Sequence, residues 1–99
     1  MTTLVIDVQL AKAQNVIVTE DTLSVDLVDG RTVSVPLGWY PRLLYASEEE
    51  LNNWRLIGRG EGIHWSDLDE DISIESIVFG KTSGESQKSF QRWLEKRQL

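Results

Sequence analysis

The sequence contains no cysteine and only one histidine among its 99 residues. Without cysteine the chain can form no disulfide bond, no thiolate nucleophile, and no zinc or iron–sulfur site with cysteine ligands. Imidazole-based acid–base chemistry would have to use His64, and no serine stands in a Gly-x-Ser-x-Gly motif. These shortages exclude cysteine hydrolases, cysteine-ligated metal sites and hydrolases with that serine motif.

Long hydrophobic segments are also missing. No segment approaches the roughly 18 consecutive apolar residues that cross a bilayer. The N-terminal segment lacks the basic region of a signal peptide. We therefore expect a cytoplasmic protein without a membrane segment. The apolar content of 40% argues against disorder and, with the length, indicates one domain.

Positive charge is scarce before residue 81. Residues 1–80 contain five Lys/Arg and fourteen Asp/Glu, a net charge of −9, whereas residues 81–99 contain five Lys/Arg and two Glu, a net charge of +3. Affinity for nucleic acid depends largely on Lys and Arg at phosphates. We therefore expect a domain over residues 1–80, a basic C-terminal segment over residues 81–99, and no nucleic-acid binding by this chain alone.

The first 36 residues read as antiparallel strands. Apolar and polar residues alternate with the period of two that half-buried strands show. The pattern predicts four strands, at residues 5–10, 16–19, 23–28 and 31–35. The third strand alternates strictly, and its buried face should hold Leu23, Val25 and Leu27.

A hairpin should join the third and fourth strands. Asp29-Gly30 is a strong signal for a two-residue turn in which both positions have positive φ. Pro36 should end the return strand, because proline cannot donate to the ladder.

The period changes after Pro36. We expect a short helical turn over residues 40–45 that begins with Pro41. Ser47 and Glu50 have the spacing of a capping box and predict a helix over residues 48–57. The core-facing residues of this helix would be Leu51, Trp54 and Ile57.

The sequence after residue 57 predicts a loop to about residue 70, a strand over residues 72–79 and a helix over residues 84–96. The last helix has an apolar face formed by Phe90, Trp93 and Leu94. The predicted fold is therefore α+β, with four strands, a helix, a strand and a helix in chain order. An antiparallel sheet of about five strands would carry both helices on one face.

Three glycines alternate in the segment Gly58-x-Gly60-x-Gly62. Phosphate-binding loops follow a strand and open a helix, and here the predicted order is reversed. We expect the glycines to permit positive φ in a tight connection. A nest of backbone amides for an anion or a peptide carboxylate is the alternative.

Three aspartates alternate in the segment Asp67-x-Asp69-x-Asp71, like the first ligands of a calcium loop. Ile72 and Val78 stand where that loop needs glycine and a bidentate glutamate. We therefore expect these acids to serve turns and helix caps, and we expect neither a metal site nor a cofactor.

His64 lies between Ile63 and Trp65, a pattern typical of a partly buried histidine bonded to a carbonyl or carboxylate. The alternative is an activity or a weak divalent-ion site that uses His64 with an acid such as Asp67 or Asp69. A pocket for such a small ligand or ion would comprise Gly58, Gly60, Gly62, His64, Trp65, Asp67 and Asp69.

Two segments have the residue types of protein-binding surfaces. Trp39, Tyr40 and Arg42 belong to the types enriched in binding hot spots, although aromatic residues could equally fill the open end of the sheet. Lys88, Arg92 and Lys96 form a basic stripe on the last helix. That stripe is either a solvated face or a surface that docks onto an acidic or apolar groove of a partner.

The stretch from residue 35 to residue 77, with three of the four tryptophans and both prolines, resembles domain of unknown function 2442, a family of small prokaryotic proteins. Its most specific parts are Gly62-Ile63-His64-Trp65 and Leu68-Asp69-Glu70-Asp71-Ile72-Ser73. The resemblance covers the chain to about residue 80 and implies a small α+β protein. Some relatives carry a helix-turn-helix domain after this one, and others are suspected members of two-protein modules of toxin–antitoxin type. The resemblance implies no catalytic residues.

Two functions remain open. We expect a non-enzymatic, antitoxin-like binding module that acts on another small protein, and a homodimer is a further alternative. A small-molecule or metal-dependent activity around His64 and residues 67–71 is the second hypothesis.

Overall fold

The computed structural model describes residues 11–97. The predicted strand over residues 5–10 lies outside this range. The first described elements form an antiparallel sheet in the order β1-β2-β3. Their bounds are Ala13–Val18 for β1, Thr22–Leu27 for β2 and Thr32–Pro36 for β3. The alternation predicted for β2 is confirmed, because Leu23, Val25 and Leu27 are all buried.

The hairpin between β2 and β3 is confirmed at its predicted place, but its turn differs. The Leu27 amide donates to the Arg31 carbonyl at 2.7 Å, and the Gly30 amide donates to the Leu27 carbonyl at 3.0 Å. Three residues therefore form the loop, and φ is positive at Gly30 (99°) but not at Asp29. The prediction of a two-residue turn was wrong. A three-residue loop that ends with one glycine at positive φ also matches the twist of the two flanking strands.

Two short helices follow a 3-10 turn at Leu37–Trp39. They are α1 (Pro41–Leu44) and α2 (Glu48–Asn52). The capping box is confirmed: the Glu50 amide donates to Ser47 Oγ at 3.1 Å, and the Ser47 amide donates to Glu50 Oε1 at 2.9 Å.

A second antiparallel sheet has the order β4-β5-β6. Its strands are Trp54–Ile57, Gly62–Trp65 and Glu70–Ser73. The predicted helix over residues 48–57 was therefore too long. Residues 54–57 join the sheet, and Leu56 pairs with the buried Ile63. Leu51, Trp54 and Ile57 have the spacing of a helix face, so the sequence pattern predicted a helix where β4 lies.

The predicted strand over residues 72–79 was also wrong beyond residue 73, because the chain there forms helix α3 (Ile74–Phe79). Ser73 Oγ accepts a hydrogen bond from the Ser76 amide at 3.1 Å and so caps this helix. Ile74 and Ile77 are buried at the helical spacing of three residues. Ile72 and Ile74 alternate with polar residues as they would in a strand, and this pattern concealed the change from strand to helix.

The core joins both sheets. Buried side chains of β2 and β3 belong to the same cluster as Ile63 and Trp65 of β5 and Ile72 of β6. The α+β class is confirmed, and the single sheet of about five strands is corrected to two sheets of three strands.

The last helix, α4 (Gln87–Arg97), confirms the predicted C-terminal helix, although it begins later than residue 84. Trp93 of α4 packs against the core. Among residues 11–97, no helix is long and apolar enough to span a bilayer.

Candidate functional site

Arg42 connects three parts of the chain. Its Nε donates to Glu85 at 2.9 Å, its Nη2 donates to the same carboxylate at 2.5 Å, and its Nη1 donates to the carbonyls of Leu68 and Asp69 at 3.0 and 3.1 Å. The two charged side chains are only 15% and 13% exposed. The mutual hydrogen bonds raise the pKa of Arg42 and lower that of Glu85. Arg42 thus ties α1 to the turn before β6 and to the segment before α4.

The two aromatic residues before Arg42 also face the protein. Tyr40 is buried, and its hydroxyl donates to the Lys81 carbonyl at 3.2 Å. Trp39 is half-buried against the core, and its carbonyl accepts from the Ser83 amide at 3.1 Å. The structure therefore gives the predicted anchors Trp39, Tyr40 and Arg42 intramolecular contacts.

The exposed apolar residues of this region are the two that follow Leu43. Leu44 is 50% exposed and Tyr45 is 57% exposed, whereas Leu43 is fully buried. The helical period explains why Leu43 is buried and Leu44 is exposed, because Leu43 follows the buried Tyr40 by three positions and so faces the same side. This period could have been read from the sequence.

Aromatic and ionic contacts hold α4 to the domain. The Phe90 ring lies 5.4 Å from the Tyr45 ring and 5.8 Å from the Trp93 ring, measured between centroids. Arg97 donates to the Glu50 carboxylate at 2.6 and 2.9 Å. That hydrogen bond, with help from the Ser47 amide, lowers the pKa of Glu50 to about 2. The helix is thereby fixed at both ends.

Lys88, Arg92 and Lys96 form a row of exposed cations on α4, which we call the cationic row. In the part of the chain that the structure describes, none of the three forms an ion pair. Two of them border a hollow of about 350 Å³. Its lining residues are Arg42, Asp69, Ser89, Arg92, Trp93 and Lys96.

A second depression, of about 420 Å³, lies beside β6 and is bordered by residues 82–85. We call it the β6 cleft. Glu70 lines it, and sequence reasoning did not single this residue out. Glu70 pairs with Trp65 across the sheet, so it shares the inner face with Ile72. The alternation of Glu70 with Ile72 could have indicated from the sequence that Glu70 lies on the inner face.

Burial raises the pKa of Glu70 to about 7, and the nearby Glu85 carboxylate adds to the rise while Arg42 opposes it. The pKa of Tyr40 is raised, first by burial and then by the charge of Glu70. The β6 cleft therefore contains a carboxyl group that changes its charge near neutral pH.

The alternating glycines serve the turn between β4 and β5. Gly58, Arg59 and Gly60 all have positive φ, of 60°, 58° and 90°. A Cβ atom on Gly60 would lie 2.6 Å from the Ala13 carbonyl oxygen, so this loop packs directly against β1. Gly62 is buried against Ile57. The tight-connection interpretation accounts for Gly58 and Gly60, although the connection joins two strands, whereas Gly62 has no positive φ.

The other predicted pocket residues do not converge on one site. Trp65 is fully buried, and its Nε1 donates to the Leu51 carbonyl at 3.0 Å. Asp67 accepts from Asn53 at 3.0 Å, whereas Asp69 borders the β6 cleft. No group of three or more histidine or acidic side chains within residues 11–97 could hold a metal ion.

His64 lies on the outer face of the second sheet. It pairs across the sheet with Arg55 on β4 and Asp71 on β6. His64 Nδ1 hydrogen-bonds to the Asp71 carboxylate, and the histidine side chain is 21% exposed. This placement agrees with the interpretation of a partly buried histidine bonded to a carboxylate.

Comparisons with known proteins give a family and a fold. The family model described as "Protein of unknown function (DUF2442)" matches residues 13–83. The crystal structure of a protein of unknown function from Rhodospirillum rubrum is similar, with 26% identity and a TM-score of 0.68 over 78% of this chain and 95% of that one.

A solution structure of an uncharacterised protein from Chromobacterium violaceum has 17% identity and a TM-score of 0.66, over 92% of this chain and 84% of that one. At this identity the likeness shows the fold alone. None of the curated proteins matches the sequence.

Proposed function

Because this chain belongs to the DUF2442 family of proteins of unknown function, its role has to be inferred from its own surface, and we propose that it is a non-enzymatic module that binds another small protein. The observation that carries this proposal is the cationic row of Lys88, Arg92 and Lys96, which is exposed and forms no ion pair within the described residues.

The surroundings of the cationic row support a binding role. Arg97 and Arg42, the neighbouring cations, are engaged with Glu50 and Glu85. Their contacts fix α4, so the row is presented on a helix that is already ordered. Residues four positions apart on a helix lie about 6 Å apart on one face. A partner therefore meets a fixed line of three charges, which limits the ordering cost of association.

The chemistry of the row favours an acidic partner. Charge complementarity steers such encounters and selects among partners. Residues 1–80 carry a net charge of −9, which opposes the approach of a nucleic acid to the same face. We propose a cytoplasmic, antitoxin-like role, in which the module occupies the acidic surface of a small protein and regulates it.

Affinity purification from lysate of the native host tests this proposal with three proteins. The wild type is compared with a variant carrying Lys88→Glu, Arg92→Glu and Lys96→Glu. The matched control carries Arg55→Glu, Arg59→Glu and Lys81→Glu, which are also exposed and change the net charge equally. We expect the wild type and the control to retain one small acidic protein and the first variant to lose it.

Several outcomes would contradict the proposal. Equal retention of the partner by all three proteins would show that the cationic row does not contact it. Recovery of nucleic acid instead of protein, with binding abolished by nuclease, would replace the proposed partner class. Recovery of no protein at all would also count against it.

A further inference from the structure

Among the residues that the structure describes, the strand β6 lies at an edge of the second sheet. Within residues 11–97, this strand pairs with β5 alone. Its register with β5 runs from Glu70, opposite Trp65, to Ser73, opposite Gly62. An edge strand presents backbone N–H and C=O groups that can pair with a further extended chain.

The direction of these backbone groups follows from the ladder. The Ile74 amide donates to the Glu61 carbonyl at 2.8 Å, which continues the same register by one pair. Hydrogen-bonded and non-hydrogen-bonded pairs alternate along an antiparallel ladder. The backbone groups of Asp71 and Ser73 therefore point away from β5. Ser73 caps α3, so the amide and carbonyl of Asp71 are the outward-facing groups in the middle of the strand.

The space beside this edge fits an extended chain. The β6 cleft is lined by residues 69–73 and also by residues 82–85 and Ser89. Glu70 lines the cleft from the inner face, and a hydrogen bond from the Asp71 backbone lowers its pKa in part. The Asp71 backbone and the Glu70 carboxylate therefore belong to one surface.

The charge of the cleft selects the occupant. Four carboxylates and a single guanidinium line it, from Asp69, Glu70, Asp71, Glu85 and Arg42. Glu85 is committed to Arg42, and Asp71 is committed to His64. Among the described residues, Glu70 accepts no hydrogen bond from another side chain and forms no ion pair. A cation entering the cleft would supply that partner.

We propose that the β6 edge docks an extended peptide segment of a partner protein, whose backbone pairs with Asp71 and whose lysine or arginine side chain enters the β6 cleft at Glu70. This mode combines strand addition with a side-chain pocket. It is independent of the cationic row, which would contact acidic groups. A second copy of this chain fits less well, because two β6 edges would bring acidic clefts together.

Panning a displayed library of short random peptides against the wild-type protein tests the proposal. We expect enriched peptides to carry lysine or arginine between β-branched residues. When an enriched peptide is titrated, amide resonances of residues 70–73 and 82–85 should shift. Glu70→Gln should weaken its binding about tenfold or more, since a charged hydrogen bond is lost.

Backbone pairing has its own variants. Asp71→Pro removes the outward amide and should abolish binding, because an edge strand tolerates proline where its N–H is unused by the ladder. Asp71→Asn keeps the amide and should retain binding. If Asp71→Pro does not fold, the Glu70→Gln comparison still decides the proposal.

The pH dependence adds a second readout. Wild-type affinity should rise between about pH 6 and about pH 8 as Glu70 ionises, and Glu70→Gln should lose this rise. The other charged and titratable groups of the cleft stay in both proteins: Tyr40, Arg42, Asp69, Asp71 and Glu85, together with His64, which pairs with Asp71.

Four results would overturn the inference. They are no enrichment of any peptide, enrichment without a preference for lysine or arginine, shifts confined to other residues, and equal binding by Glu70→Gln. Concentration-dependent shifts of residues 70–73 without peptide would identify a second copy as the occupant and would also overturn it.

Discussion

Replacing Arg42 with alanine should lower the free energy of unfolding by about 3 kcal/mol. The change leaves Glu85 without its partner, frees the carbonyls of Leu68 and Asp69, and removes the guanidinium that lies 5.4 Å from the Trp93 ring centroid. Breaking a buried ion pair costs about 3 to 5 kcal/mol. The slight exposure of both side chains, 15% and 13%, places this pair at the lower end.

Thermal unfolding followed by circular dichroism measures this cost. In a domain of this size about 1 kcal/mol shifts Tm by roughly 4 to 8 °C, so Tm should fall by about 12 °C or more. Hydrogen exchange should also quicken along α4. Arg92→Ala is the matched control, because Arg92 is exposed without an ion pair in the described range, and it should leave Tm nearly unchanged.

A double variant sharpens the test. Adding Glu85→Ala to Arg42→Ala should recover part of the lost stability, because it removes the unpaired carboxylate. If Arg42→Ala unfolds within about 2 °C of the wild type, or if the second change lowers Tm further by the full cost of Glu85→Ala alone, Arg42 is not the clamp described above.

Two further predictions concern Glu70 and Gly60. Glu70→Gln should raise the free energy of unfolding by about 1 kcal/mol at about pH 8, after allowance for solvent screening, and change it little at about pH 4. The raised pKa means that stability is full below the ordinary value of 4.5 and falls as pH rises to about 7, so equal effects in urea titrations at both pH values would refute this sign. Gly60→Ala should destabilise by about 2 kcal/mol or more, because its Cβ would lie 2.6 Å from the Ala13 carbonyl oxygen at a φ of +90°. Gly84→Ala, whose Cβ meets nothing within 4 Å, is the control, and equal urea midpoints for the two variants would contradict the close approach.

Local signals predicted several elements well. Asp29-Gly30 between two alternating runs located the hairpin, and Ser47 with Glu50 located the start of α2. Each signal rests on a backbone requirement that only a few residue types meet. Such requirements act within a few residues, so they can be read without knowing the rest of the fold.

The second sheet was harder to predict because its strands are only four residues long. Ile63 and Trp65 alternate correctly, but the neighbouring glycines suggested a loop. The strand β5 is stabilised by its pairing with β4 and β6, and the short alternating run by itself does not reveal this pairing. The change from β6 to α3 depends on one cap, at Ser73, and the isoleucines on either side of it alternate with polar residues as they would in a strand.

Residue type alone did not indicate the intramolecular contacts of the predicted anchor residues. Tyr40 and Arg42 have the composition of a binding surface, yet both are used inside the protein. Their partners, Lys81 and Glu85, lie about forty residues away along the chain. Glu70 was overlooked because it stands in an acidic run, although its alternation with Ile72 indicated that it shares the inner face of β6. The exposed stripe on α4 needed only the helical period, and it was predicted correctly as a stripe.

The most direct test of the proposed function is the association rate of a recovered complex at a series of salt concentrations. We expect the wild-type rate to fall steeply with added salt, and we expect the matched control, with Arg55, Arg59 and Lys81 reversed, to keep this slope. Reversal of Lys88, Arg92 and Lys96 should slow association and flatten the salt dependence. The same rate and slope for all three proteins would contradict a partner steered by the cationic row.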